Sequence, residues 1–330
     1  MLPAKLIHGP ILRRLPYREP IDVAGLIAFL GRRAVPGVEE VIDGVYRRSV
    51  ALDHGPGLIE LQAGAGYVDA RFWLHDAGDL ADAVRRCRAL LDLDCDPDAV
   101  LAALGSDPVL GEVVRAAPGR RIPGHVDASE LALRAVLGQQ ISVAAATTLA
   151  GRLVSAYGAP LDQPIGAVTH LFPDAVALAH ADPAMLAMPG ARRRALLGLA
   201  GALARGELRL DRPAEGAEHT DRADRAEGAD RADRAEAERS LLSLPGIGPW
   251  TVAYIAMRAL GDTDSFLPTD LGVRRGLEAL GHDGRPAAAA AMAERWRPYR
   301  AYGVQHLWAA AAALAPAHPT TRAHALLHSR

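Results

Sequence analysis

Two hydrophobic periods divide this chain, and the switch between them constrains its fold more than any other feature. Before Asp96-Pro97 the periods are mixed. Val68, Ala70, Phe72 and Leu74 alternate with Asp69, Arg71, Trp73 and His75, the pattern of a strand with one buried face. Val41–Leu52 and Leu58–Leu61 read as further strands, separated by the turn signal His54-Gly-Pro-Gly. Asp22–Arg33 and Asp79–Leu93 carry apolar residues at helical spacing, each opened by an aspartate suited to capping. After Pro97 no strand is apparent. Ser129–Tyr157, Asp174–Ala187, Ala191–Arg205, Pro249–Leu260, Leu271–Leu280 and Ala287–Ala315, the last broken near Pro298, read as helices. Asp127-Ala-Ser-Glu places capping groups ahead of the first of them. The expected architecture is an α+β domain over residues 1–96 followed by an all-α region over 97–330.

Residues 211–239 stand apart. They repeat Asp-Arg-Ala with glutamate variants and contain no large apolar side chain, so a solvated loop or a frayed, ion-paired helix is expected. Their ten acids and six arginines give a net charge of −4, which leaves the rest of the chain at +2. The near-neutral total of 37 basic and 39 acidic residues thus understates how basic the folded part is.

Composition removes several functions. Lys5 is the only lysine, which excludes a phosphate-binding P-loop and any enzyme built on an internal Schiff-base lysine. Two cysteines, Cys87 and Cys95, are too few for a disulfide framework, a four-cysteine zinc site or an iron–sulfur cluster. The twelve histidines show no metal-ligand spacing with carboxylates. The N-terminal MLPAKLIHGP lacks an apolar signal core, and no apolar run reaches the ~18 residues of a membrane span, so a cytoplasmic protein is expected.

The chemistry concentrates in Ser240–Leu280. Leu241–Leu244 ends a helix, Pro245-Gly246-Ile247-Gly248 turns, and Pro249 stands where the first residue of a new helix favours proline. Glycine-bearing turns aimed by a helix N-terminus present amides suited to a phosphate. Taken alone, the pattern fits an ordinary helical hairpin equally well. Asp270, just ahead of Leu271, fits a helix N-cap. Seven of the fifteen aromatic residues fall in Trp250–Trp308.

LPGIGPWTVAY at Leu244–Tyr254, followed 22 residues after Gly248 by Asp270 in FLPTDLG, resembles the helix-hairpin-helix DNA glycosylases, in particular the AlkA-type 3-methyladenine DNA glycosylase II. RLPYREPIDVAGLIAFLGRRAVPGVE near the start, LALRAVLGQQISVAAA at Leu131–Ala146 and AERWRPYRAYGVQHLW at Ala293–Trp308 carry the same resemblance from about Leu15 to Trp308. It implies an α+β N-terminal domain with an antiparallel sheet and an all-α helix-hairpin-helix glycosylase region. It further implies hydrolysis of the N-glycosidic bond of alkylated bases, such as 3-methyladenine and 7-methylguanine, in double-stranded DNA by base flipping. A monomer is expected.

Residue by residue, the resemblance makes Asp270 catalytic, its carboxylate stabilising the positive charge that develops on the sugar or orienting water. Trp250, Tyr254, Trp308, Phe29 and Gln139 would form the base pocket, where electron-rich rings attract cationic alkylated purines. Gly246, Gly248 and Thr251 would meet the DNA backbone. Gln140 would fill the gap left by the flipped nucleotide, at a position where the best-matched pattern has leucine. The main-chain carbonyls of Leu242, Leu244 and Ile247 would hold a structural Na+ or K+; no catalytic metal is expected. Lyases of this superfamily attack the sugar with a lysine two residues after the second hairpin glycine. Trp250 stands there, so water should be the nucleophile and an abasic site the product.

Two other functions fit the same motifs: a glycosylase for deaminated bases such as hypoxanthine, and a non-catalytic lesion-binding protein. Similar modules also occur fused to alkyl-transfer domains. The stretch before Leu15 is too short for one, so this chain would be the glycosylase portion of such a fusion.

Overall fold

The computed structural model describes residues 9–210 and 223–314. Five strands, β1 (Ile11–Pro16), β2 (Glu39–Ile42), β3 (Val45–Leu52), β4 (Gly55–Ala63) and β5 (Tyr67–Trp73), form one antiparallel sheet in the order β1-β5-β4-β3-β2. The single strand expected over Val41–Leu52 is a hairpin. Asp43 and Gly44 both adopt positive φ, 51° and 76°, the geometry of a tight two-residue turn that continues the strand twist. Gly55 to Gly57 extends β4 rather than turning.

Helices α1 (Val23–Gly31) and α2 (Leu80–Leu91) cover the sheet, and Leu26, Ile27 and Leu30 pack with Tyr46, Ile59, Leu61 and Phe72. Asp22 caps α1 by accepting from the Gly25 amide at 2.8 Å. Asp79 caps nothing: it is buried and accepts from the His54 amide at 3.2 Å and the His54 ring at 2.7 Å.

Helices α3 (Pro97–Leu104) and α4 (Gly111–Ala116) follow, then α5 (Ala128–Leu137) and α6 (Val143–Tyr157). The helix expected over Ser129–Tyr157 is therefore two, interrupted at Gly138–Ser142, where Gln140 takes φ 58°. Asp127 caps α5 through the Glu130 amide at 2.7 Å, and Ser142 restarts the chain by capping α6 at 3.2 Å. The region beyond Pro97 also contains strands: β6 (Pro160–Ile165) pairs with β7 (Val168–His170). This hairpin docks on the first sheet, the Ser49 hydroxyl donating to His170 O at 2.6 Å and the Thr169 amide to Gly37 O at 2.8 Å. Its polar, proline-bearing sequence carries no alternation to announce it.

Next come α7 (Ala175–Ala179), α8 (Gly190–Ala204) and α9 (Ala223–Ser243). Residues 211–222 of the Asp-Arg-Ala segment lie outside the described residues. From Ala223 onward it is helix, and its last turns are docked. Ala237 is buried with Leu241, one turn apart, and Arg234 pairs with Asp262 at 3.0 Å. The helical alternative expected for this segment is the one found, but its C-terminal turns are docked rather than frayed, because alanine suffices for close packing there. Finally α10 (Pro249–Arg258), α11 (Leu271–Ala279), α12 (Pro286–Ala293) and α13 (Arg300–Leu314) complete the chain.

Three cores result: the sheet with α1 and α2; α5, α6, α8 and the hairpin; and α3, α4, α11, α12 and α13. Helix α10 serves the second through Val252, Ile255 and Ala256 and the third through Met257, Ala253 and Trp250. Trp296 and Tyr302 lie in the third core, with Tyr299 packed against it. No helix among the described residues is long and apolar enough to cross a membrane.

Candidate active site

A cleft of about 1250 Å³ opens where these cores meet, and most of the expected site residues line it. Asp270 is at its rim as the N-cap of α11. Its Oδ1 accepts from the Val273 amide at 2.9 Å and from Trp308 Nε1 at 2.8 Å, while its Oδ2 accepts from Trp250 Nε1 at 3.0 Å. Capping alone would satisfy one oxygen. Here two indoles from different helices grip the carboxylate, and both are the pocket tryptophans. Trp308 reaches it because Gly272 has no side chain: a Cβ there would stand 2.6 Å from Trp308 Cδ1, and one at Gly276 would collide with the Leu307 backbone. Two glycines four residues apart thus let α11 lie directly on α13.

Trp250 and Tyr254, one turn apart on α10, stack with centroids 5.3 Å apart and planes 13° from parallel. Trp308 faces Tyr254 at 6.4 Å with a 42° tilt, which leaves a V-shaped recess beside Asp270. Phe29 stands behind this wall: it is stacked on Trp308 at 6.5 Å but does not line the cleft itself. Two guanidiniums lie over its ring, Arg33 Cζ 3.6 Å and Arg258 Cζ 5.1 Å from the centroid.

Arginines missed by the sequence reading form the floor. Arg33, Arg134 and Arg258 all line the cleft. Arg258 is only 4% exposed and donates to Tyr254 Oη at 2.6 Å, Pro123 O at 2.7 Å and Gly124 O at 3.0 Å, so it is part of the pocket wall. Burial by itself raises the Tyr254 phenol, but the guanidiniums of Arg258 and Arg33 outweigh it and hold the group below its ordinary range. Arg134 donates to Glu39 at 2.9 Å, to Glu130 at 2.8 Å and to Arg33 O at 2.7 Å. In sequence each looks like a solvated helix arginine; only packing from another element distinguishes it.

The hairpin turn forms the opposite lip. Gly246 takes φ 87°, and a Cβ there would come within 2.8 Å of the Ala195 Cβ on α8. Gly248 caps α10 without a side chain, and the amides of Gly246, Gly248 and Trp250 have no acceptor among the described residues. This is an anion-receptive turn. Thr251 is 3% exposed, and its Oγ1 accepts from Gln139 Nε2 at 3.0 Å, which fastens the turn to the α5–α6 loop. Gln139 also donates to Gly246 O at 3.0 Å, and Arg192 holds Gln139 O. Gln139 therefore ties the α5–α6 loop to the hairpin, leaving Gln140 exposed at the cleft in its left-handed conformation. Among the three candidate cation ligands, the Leu244 carbonyl accepts from the Ile247 amide at 3.1 Å, while those of Leu242 and Ile247 accept no hydrogen bond among the described residues.

Comparison with known proteins agrees with this geometry. Residues 12–127 match the AlkA N-terminal domain, and residues 133–301 match the HhH-GPD superfamily base excision DNA repair protein. The chain is 46% identical over 300 residues to a Mycobacterium tuberculosis protein named as a probable bifunctional transcriptional activator/DNA repair enzyme AlkA; the match covers 91% of this chain and 57% of the relative, little more than half its length. It is 35% identical over 303 residues to Escherichia coli DNA-3-methyladenine glycosylase 2, covering 89% of this chain and 95% of that one. In fold it is similar to a 3-methyladenine DNA-glycosylase from Archaeoglobus fulgidus, with a TM-score of 0.71 at 20% identity over 90% of this chain and 97% of that one. Family models, full-length relatives and the arrangement of cleft and hairpin converge: the chain belongs to the HhH-GPD superfamily of base excision DNA repair proteins.

Proposed function

We propose that this protein is a monofunctional DNA glycosylase that removes alkylated bases from double-stranded DNA, acting as a monomer and leaving an abasic site. The observation that carries the reading is the Asp270 carboxylate held by the indoles of both pocket tryptophans at the edge of an aromatic recess. The names of the relatives, 3-methyladenine glycosylases among them, support the same substrate class.

The chemistry follows from the geometry. The hairpin amides receive a backbone phosphate, and the flipped base enters between Trp308 and the Trp250–Tyr254 pair. When the C1′–N bond breaks, the electron pair stays with the base and positive charge grows on the sugar. The Asp270 carboxylate, fixed in place before the reaction, stabilises that charge at no reorganisation cost. Water then adds to C1′. One of its protons passes to the base or solvent and the other remains on the new hydroxyl. Among the described residues no lysine lines the cleft, and Trp250 stands where a lyase of this superfamily has its lysine, which supports hydrolysis as the reading. A Na+ or K+ would sit on the carbonyls of Leu242, Leu244 and Ile247, two of which have lone pairs free for it, and would add positive charge beside the phosphate. Gln140, exposed at the loop tip, fills the space that the flipped nucleotide leaves.

Release of free bases from methylated duplex DNA tests this reading. Wild type should release 3-methyladenine and 7-methylguanine, with strand breaks only after alkali. Asp270→Asn, which keeps a capping side chain, should fold and bind DNA while release falls at least ~100-fold. Breaks without alkali would refute the monofunctional mechanism. No release by wild type despite DNA binding would leave a lesion-binding protein.

A further inference from the structure

Three arginines stand together at the start of α8, the end of a helix where its dipole makes positive charge least favourable. Arg192, Arg193 and Arg194 follow Gly190 and Ala191 directly, the first turn holds no acid, and Pro189 supplies no capping side chain. Arg192 donates to Gln139 O and Arg193 to Pro183 O at 3.1 Å. Arg194 is exposed, and among the described residues none of the three pairs with a carboxylate. Asp182, beside Pro183, is turned to the Ala184 amide at 2.9 Å instead. The other end of the same helix is the reverse case. Arg205 pairs there with Glu207 at 2.7 Å, although the dipole already favours a cation. Among the described residues, the end that most needs an anion has none.

The triplet belongs to the same lip as the hairpin. A Cβ at Gly246 would come within 2.8 Å of the Ala195 Cβ, one residue beyond Arg194, and Arg192 fixes the Gln139 carbonyl next to Gln140. The anion-receptive turn, the exposed Gln140 and the arginine triplet are thus one continuous surface. Helices α6, α8 and α10 all begin on it, and none has an acid in its first turn. Helices α2, α3, α4 and α5, which begin elsewhere, carry Asp82, Asp98, Glu112 and Glu130 there. Side chains lean toward the N-terminal end of their helix, so Arg193 and Arg194 reach toward this lip rather than back along α8.

We propose that Arg193 and Arg194 bind backbone phosphates of the duplex next to the one received by the hairpin, so that the DNA-binding surface continues from the turn onto α8. The assignment rests on the glycosylase reading and extends its partner surface beyond the hairpin, the cleft and Gln140. A guanidinium fits a phosphate through two parallel N–H donors, and each phosphate neutralised releases condensed counterions. Both effects are blind to sequence and to damage. The two arginines therefore act on affinity for any duplex, and so on the search for a lesion, but not on the bond-breaking step at Asp270. An acidic protein surface would satisfy the same charges; continuity with the hairpin turn favours DNA. Arg192, tied to Gln139 and with its Nε buried and unpaired, serves the loop and is no part of the contact.

The test follows binding of an undamaged, fluorescently labelled duplex of about 20 base pairs across about 50–300 mM NaCl, where log Kobs falls linearly with log salt. Arg194→Gln should make that slope shallower by about 0.9, and Arg193→Gln with Arg194→Gln by about 1.8, with weaker binding throughout. Arg194→Lys, which keeps the charge, should restore the slope. Arg205→Gln, at the paired end of α8, should change neither slope nor affinity. Single-turnover release of 7-methylguanine at saturating enzyme should stay within about 2-fold in all four variants. An unchanged slope in the double variant would overturn the assignment and leave the triplet to an acidic protein partner. Weaker binding at an unchanged slope would overturn it too, because the arginines would then only support the hairpin. Duplex binding by wild type without base release would sink the glycosylase reading, while the slopes would still decide this one. Wild type that binds no duplex would sink both.

Discussion

Two clusters of buried arginines lie side by side in this molecule and are built on opposite plans. Between the sheet and α5, Arg48 and Arg134 meet Glu39 and Glu130. Arg48 donates to Glu130 at 2.6 Å and to Glu39 at 3.3 Å, the Tyr46 hydroxyl donates to Glu39 at 2.6 Å, and Arg134 bridges both glutamates. Two cations face two anions. His125, buried beside them, is held neutral by desolvation and by the two arginines. At the cleft Arg33 and Arg258 share a space with Phe29, the Tyr254 hydroxyl and the Pro123 and Gly124 carbonyls, and among the described residues neither forms an ion pair with a carboxylate. The first cluster is closed by carboxylates and ties the sheet to α5; the second is held by aromatic rings, the Tyr254 hydroxyl and main-chain carbonyls. Arg134 joins the two through Arg33 O, so the first cluster sets the position of the second.

Breaking the closed cluster should give the largest effect. Glu130→Ala leaves Arg48 and Arg134 with one carboxylate between them in a site where Arg48 is 1% exposed. Loss of one partner from a buried network costs about 3–5 kcal/mol, read as a lower urea midpoint. Arg33→Gln, which breaks no ion pair, should leave that midpoint within about 1 kcal/mol. A similar loss in both variants would erase the distinction between the clusters.

The catalytic end of the comparison is sharpened by Trp308→Phe. It keeps an aromatic ring but removes the donor to Asp270 Oδ1. Single-turnover base release should slow about 10-fold, the effect of one charge-assisted hydrogen bond, with DNA affinity unchanged. Weaker binding with an unaltered chemical step would assign Trp308 to stacking alone.

A third buried charge provides the smallest test. Asp92 accepts from the Tyr302 hydroxyl at 2.9 Å and the Ile122 amide at 3.1 Å. Burial outweighs these bonds and raises its carboxyl to about 6. Because the folded pKa exceeds the unfolded one, the folded state binds more protons between about pH 4 and 6, and stability from this group falls as pH rises through that window. Asp92→Asn, tolerated at its φ of 52°, should therefore stabilise the protein by about 1–2 kcal/mol at pH 8 and by nothing below about pH 4. Equal stabilisation at both pH values would point to packing rather than charge.

The sequence makes the fold class and the cleft residues legible for a definite reason. Trp250, Tyr254, Gly246, Gly248 and Asp270 belong to one local run whose spacing carries the motif, and the structure gathers them around one cleft. What it hides depends on distant partners. Thr251 looks like a surface residue of the turn until Gln139, 112 positions away, is seen to hold it from within. Arg33 and Arg258 read as helix-end charges until Phe29 and the Pro123-Gly124 carbonyls surround them. The β6–β7 hairpin has no amphipathic alternation, because its pairing is anchored by Ser49 and Gly37 of the other domain.

The double allegiance of α10 has a thermodynamic consequence. Its ten residues supply buried side chains to two cores, and Trp250 and Tyr254 stand on the same helix. Neither core can melt locally without removing a wall of the recess, so the opening of either lobe and the loss of the site are one event. A molecule that fills the recess strengthens the cohesion of both lobes: occupancy raises the free energy of every partial unfolding that frees α10, so a ligand seated there stabilises the whole helical region and not the recess alone.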